Sequence, residues 1–142
     1  MTIQAILQGR EGQIFSCSAN HSVAEAVAIL AEKRIGALPV LDGDRVAGIF
    51  SERDVLHCLQ DLGAAAMDKP VSEVMTADVI SVDLQKSAIG ALSLMTKRRI
   101  RHLPVVEDDK LVGFISIGDL VKYRIDKIES EAAAMRNYIQ SA

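Results

Sequence analysis

Two short segments carry residue types that can do chemistry: Ser51-Glu52-Arg53-Asp54 and Ser116-Ile117-Gly118-Asp119. Each follows an apolar run with a glycine three residues before the serine (Gly48, Gly113) and precedes a stretch of helical periodicity, so each reads as a strand-to-helix junction. A serine there with an acid three residues on is, taken alone, a helix start worth about 1 kcal/mol. The same place also suits a ligand. A helix N-terminus presents free N–H groups and the positive end of a dipole to a phosphate. An Asp there accepts hydrogen bonds from both ribose hydroxyls, and the preceding glycine lets another group approach the strand closely. A nucleotide would use all of these groups, and the occurrence of the motif twice, at equivalent places, favours binding over capping alone.

The elements that must position these groups are themselves duplicated. Ile14–Leu56 lies over Val79–Val121 at a constant offset of 65 residues without a gap. About a dozen positions are then identical, where chance gives roughly two or three. Each copy reads strand, helix, strand, strand, helix. Ile14–Cys17 and Val79–Val82 are short apolar runs taken as first strands. Ser22-x-x-Glu25 forms a capping box for the first helix, and Ser87 starts its twin without the glutamate. Ala37–Leu41 and His102–Val106 are strands that contain Leu38-Pro39-Val40 and Leu103-Pro104-Val105. Hairpin turns at Asp42-Gly43-Asp44 and Glu107-Asp108-Asp109 lead into the return strands Arg45–Phe50 and Lys110–Ile115. A similar lead-in precedes each copy, Ile3–Leu7 and Val71–Met75. Gly63 stops a helix, Pro70 opens the next short one, and Gly9-Arg10-Glu11-Gly12 is a loop. The division is residues 1–68 and 69–142. Each part is near the lower size limit for folding alone, so the two are expected to share one pseudo-twofold unit with clefts between the halves.

The last helix has no twin of its length. It runs from Ile117 to about Ile139, and Val121, Ile125, Ile128, Ala132, Met135 and Ile139 are spaced as a heptad seam. About 23 residues span some 34 Å, more than one repeat can cover. The first half of the seam is expected on the chain's own sheet and the second half in a homodimer, or a dimer of dimers.

Composition excludes several classes. The net charge of −3 and three Phe with two Tyr leave no electrostatic or stacking footprint for nucleic acid, despite the local run Lys97–Arg101. No run of about 18 apolar residues is present for a membrane span, and the N-terminus lacks a secretory pattern. Cys17 aligns with Val82 and reads as a small buried hydrophobe; a disulfide to Cys58 is the lesser alternative. A reducing, cytoplasmic setting follows as the default. His21 reads as solvated and His57 as packing or surface. No catalytic triad, zinc motif or phosphate-binding glycine loop is present, so an enzyme is not expected.

The doubled order of L-P-V, hairpin and G-x-x-S-x-x-D resembles the CBS motif, and the pair is similar to a Bateman module. The resemblance runs from Ile3 to Lys122 and implies an α/β (α+β) fold of two tandem β-α-β-β-α repeats with an extended C-terminal helix. The chain looks like the standalone bacterial CBS pairs and the regulatory insert of inosine monophosphate dehydrogenase, without that enzyme's barrel. The resemblance implies a regulatory ligand such as AMP, ADP, ATP, NAD(H) or S-adenosylmethionine, with no required cofactor or metal. It implies that Asp54 and Asp119 take ribose, and Ser51 and Ser116 ribose or phosphate. The first strands, around Ile14-Phe15 and Val79-Ile80, would flank adenine. Before L-P-V the second repeat has Arg101-His102 where the first has Gly36-Ala37, and Arg53 stands where the second has Gly118. Cationic side chains suit phosphate. A site around Asp119 with Arg101 or His102 is therefore the first expectation, and one around Asp54 with Arg53 the second. A structural dimerisation or adaptor protein is the alternative, and a regulated partner protein is left open.

Overall fold

The computed structural model describes residues 1–9 and 14–141; the expected loop at residues 9–12 lies, apart from Gly9, outside them. The elements in order are α1 (Ile3–Gln8), β1 (Cys17–Ser18), α2 (Val23–Lys33), β2 (Ala37–Asp42), β3 (Arg45–Ser51) and α3 (Glu52–Leu62). After a 3-10 turn at Gly63–Asp68 come α4 (Val71–Val74), α5 (Ala88–Arg98), β4 (His102–Glu107), β5 (Lys110–Ser116) and α6 (Ile117–Ser141).

The duplication is kept in fine detail. β2 and β3 pair antiparallel with Val40 opposite Gly48, β4 and β5 with Val105 opposite Gly113, and each ladder shifts register at the following residue pair. The hairpins close over two residues. Gly43 takes φ +64° in the first; in the second both Asp108 and Asp109 are left-handed at 51° and 61°, the arrangement that matches strand twist in a type I′ turn. Ser22 and Ser87 cap α2 and α5, accepting from the N–H of Glu25 and Gly90.

The first strands are much shorter than expected. Only Cys17–Ser18 pairs as a strand, parallel to β2, and its counterpart is reduced to a single bridge from Val82 to Val105. Ile14–Ser16 and Val79–Ser81 run outside regular structure. Their apolar residues line clefts and do not extend a sheet, which is why a hydrophobic run there carries no ladder.

Two apolar cores form, and the lead-ins are exchanged between them. The first core gathers Leu38, Val40, Phe50 and Leu30 with Val71, Val74 and Met75 from the second lead-in. The second gathers Leu103, Val105, Ile115, Met95 and Leu120 with Ile3, Ile6 and Leu7 from the first. Backbone bonds repeat the exchange symmetrically. Ile3 N–H donates to Lys86 O (2.8 Å) and Val71 N–H to His21 O (2.8 Å), while Ala88 N–H donates to Met1 O (3.0 Å) and Val23 N–H to Lys69 O (2.8 Å). The glycines opposite Val40 and Val105 make room for this. A Cβ on Gly48 would stand 2.5 Å from Met75 Sδ, and one on Gly113 2.6 Å from Leu7 Cδ1. The close neighbour that these glycines admit is thus the other repeat's lead-in.

His21 is more than solvated: its Nδ1 accepts from Ser18 N–H at 2.9 Å, fixing the turn before α2. Cys17 and Cys58 are buried and free, and burial pushes the Cys17 thiol up to about 11, an inert core position. On α6, Leu120 is fully buried with Ile117 and Tyr123 packed beside it. The expected seam faces away from the core along its whole length. Val121 and Ile125, expected on the chain's own sheet, are 44% and 50% exposed. Leu120 and Tyr123 pack in their place, so the helix is rotated from the heptad reading. No helix among the described residues is long and apolar enough to cross a membrane.

Candidate functional site

Both S-x-x-D segments sit at strand-to-helix junctions and build helix caps. Ser51 N–H donates to Asp54 Oδ2 at 2.9 Å, Asp54 N–H returns to Ser51 Oγ at 3.3 Å, and the serine hydroxyl also donates to Oδ2 at 3.1 Å. Ser116 and Asp119 exchange the same backbone bonds at 2.9 and 3.1 Å. The capping role expected of these residues is therefore real, and it spends one carboxylate oxygen of each Asp. The second oxygen of Asp54 accepts from the Thr76 hydroxyl at 3.2 Å. Thr76 follows the second lead-in, and its backbone pairs with Ile49 on β3 in both directions at 2.9 Å.

Each junction opens onto a cleft built by both repeats. The cleft beside Asp119, about 560 Å³, has Ser116, Val112 and Phe114 on one side and Ile14, Phe15, Arg34, Gly36 and Ala37 on the other. The cleft beside Asp54, about 420 Å³, has Ser51, Arg53 and Thr76 on one side and Ile80, Arg99, Ile100, Arg101 and His102 on the other. Both volumes are in the range of small-molecule sites. Lys33 Nζ lies 5.0 Å over the Phe15 ring and steadies that wall.

The grouping of residues differs from the one expected. Arg101, placed with Asp119 by its position in the second repeat, lines the Asp54 cleft, where Arg53 also stands. Gly36, Ala37, Ile14 and Phe15, which belong to the first repeat, line the Asp119 cleft. The cause is the pseudo-twofold arrangement: the strand-to-helix junction of one copy faces the first segment of the other. On the second repeat's first segment the wall residue is Ile80; Val79 beside it is half-buried.

His102 and Gly36 line both clefts. His102 stacks on Phe114, and its Cε1 lies 3.7 Å from where a Gly36 Cβ would be, with the Glu52 carboxylate at 3.9 Å from the same point. Burial holds the imidazole below its ordinary pKa; Asp119 opposes that shift, Arg101 adds to it and Glu52 opposes it. Sequence reasoning missed Arg34 and Arg99, the C-caps of α2 and α5, both left-handed at φ 53° and 54°. Their signal was present, since they are identical residues at the 65-residue offset. Among the described residues, no cluster of metal-ligating side chains forms.

Comparison with known proteins agrees with this architecture. Residues 11–61 and 71–126 each match the CBS domain family. The CBS domain-containing protein YhcV of Bacillus subtilis is 31% identical over 125 residues, covering 88% of either chain. Inosine-5′-monophosphate dehydrogenase of Methanocaldococcus jannaschii is 32% identical over 127 residues, 86% of this chain and 24% of the enzyme. A CBS-domain protein from Burkholderia ambifaria superposes with a TM-score of 0.80 at 43% identity, covering 89% of this chain and 95% of that one. CBSX2, solved in complex with AMP, gives 0.75 at 28% over 88% and 96%. The CBS pair of protein MJ0100, in complex with methylthioadenosine and S-adenosyl-L-methionine, gives 0.78 at 25% over 89% and 98%. With two matched segments that together span most of its length and the fold of solved CBS pairs, the chain belongs to the CBS domain family.

Proposed function

We propose that this chain is a regulatory module that binds an adenosine-containing nucleotide between its repeats and has no catalytic activity of its own. The observation that carries the reading is that each S-x-x-D helix start opens onto a cleft whose other wall comes from the opposite repeat. A ligand in either cleft therefore touches both halves and favours one arrangement of them, which is what a population shift requires. In this reading Asp54 and Asp119 take ribose, Ser51 and Ser116 take ribose or phosphate, and Ile80 or Ile14-Phe15 lie against adenine. The ligands of CBSX2 and of MJ0100, AMP and adenosine thioethers or sulfonium compounds, support the class. Calorimetric titration with AMP, ATP, NADH and S-adenosylmethionine tests it, together with the mass and absorbance of any small molecule that copurifies. Silence from all four at about 1 mM would remove the nucleotide reading.

One observation favours a second reading, a dimerisation or adaptor protein. Ile128, Met135 and Ile139 are 49%, 60% and 66% exposed along one stripe of α6. The two readings are compatible if this stripe forms the homodimer through which a ligand signal passes. They separate in cells. An adaptor keeps its function in Asp54→Ala/Asp119→Ala and loses it in Ile128→Glu, whereas a sensor loses it in the first.

A further inference from the structure

The two clefts are related by the pseudo-twofold, so any difference between them lies where the repeats differ. Arg34 and Arg99 are equivalent, 65 residues apart, and each serves a different cleft, Arg34 beside Asp119 and Arg99 beside Asp54. The other two cleft arginines have no counterpart: glycines stand at the equivalent positions, Gly36 for Arg101 and Gly118 for Arg53. These two come from different copies, yet the crossed packing brings both into the Asp54 cleft. Among the described residues, three guanidiniums thus face one cavity and one faces the other. Arg53 and Arg101 are exposed, and neither they nor Arg99 form an ion pair with a described residue.

Guanidiniums stay charged at any working pH and engage phosphate oxygens in a bidentate fork. In the Asp54 cleft they offset three carboxylates, Glu52, Asp54 and Asp78. Take away Arg53 and Arg101 and the same cavity has acid in excess, which repels a phosphate chain. Among the described residues, the Asp119 cleft has Arg34 and Asp119 as its charged groups and is otherwise walled mainly by apolar groups such as Leu7, Ile14, Phe15 and Phe114.

We infer that the Asp54 cleft selects adenosine nucleotides by phosphate number, preferring triphosphate to monophosphate, while the Asp119 cleft takes an adenosine ligand with one phosphate or none. This rests on the nucleotide reading above and assigns a different ligand class to each of its clefts.

Titration calorimetry with AMP, ADP and ATP in magnesium-free buffer tests it on the full chain. In Asp119→Ala, which leaves the Asp54 cleft, affinity rises with each phosphate, by about tenfold or more from AMP to ATP. In Asp54→Ala the three nucleotides differ by less than about threefold, or bind in the reverse order. The double variant Arg53→Ala/Arg101→Ala, altered only at exposed side chains, loses the preference for ATP over AMP. The same phosphate ladder in both aspartate variants overturns the inference, as does a ladder that survives loss of both arginines; either result leaves nucleotide binding itself standing. No heat from the three nucleotides or from methylthioadenosine overturns the binding reading and this inference with it.

Discussion

His102 stacks on Phe114 with ring centroids 5.5 Å apart and planes 11° from parallel, at the wall the two clefts share. Burial there depresses the imidazole pKa below its ordinary 6.5. The unfolded chain consequently takes up a proton at a higher pH than the folded one. The contribution of His102 to stability is whole above about pH 6.5 and drains away as the pH falls through the folded pKa. Melting temperature should drop more steeply from about pH 7.5 to 5.5 in the wild type than in His102→Gln, which cannot charge. Parallel slopes would show that the stack carries no such linkage.

The glycines under the exchanged lead-ins give a second measurable pair. At Gly48 a methyl group would meet Met75 Sδ at 2.5 Å and the backbone oxygen of Thr76 at 2.8 Å; at Gly113 it would meet the flexible end of Leu7 at 2.6 Å. Overpacking of this kind costs about 1–3 kcal/mol. Gly113→Ala should be relieved in part by Leu7→Ala, giving a favourable coupling in urea melts. Gly48→Ala should resist rescue by Met75→Ala, because Thr76 O cannot withdraw without breaking its bond from Ile49 N–H, 2.9 Å long.

Asp54 and Asp119 each serve a cap as well as a cleft. Replacement by alanine should lower stability by about 1 kcal/mol through the lost cap and abolish nucleotide binding at its own cleft only. Wild type should titrate with two sites and each single variant with one. A full complement of two sites in either variant would assign the ribose to another group.

The apolar stripe of α6 predicts assembly. Ile128→Glu and Met135→Glu should each move the protein toward monomer in sedimentation without changing the melt of the cores, since neither side chain is in them. An unchanged sedimentation coefficient would leave the stripe without a role in assembly.

Much of this molecule was legible because duplication compares the chain with itself. The hairpins at Gly43 and Asp108-Asp109, the serine caps at Ser22 and Ser87 and the junctions at Ser51 and Ser116 all depend on local chemistry, which a sequence states directly. What was hidden is which copy each element packs against. An internal alignment says that Arg101 corresponds to Gly36; it does not say that Arg101 faces Asp54. Leu7 and Met75 look alike in sequence whether they cover their own repeat or the other. The one local clue was the glycine pair at Gly48 and Gly113, which require a close neighbour but do not name it. The phase of α6 was lost for a related reason, because Leu120 and Tyr123 hold the helix while a longer and more regular apolar row points outward.

The exchange of lead-in helices also sets an order of events while the chain is being made. The first core is complete once residues up to Met75 have emerged, because everything it buries precedes that point. The first lead-in finds its first backbone partners only at Leu84, Lys86 and Ala88, and its core is not complete until Ile115 and Leu120 appear. Ile3, Ile6 and Leu7 therefore stay incompletely buried while the whole first repeat is made and folds, and it is the second repeat that brings them home.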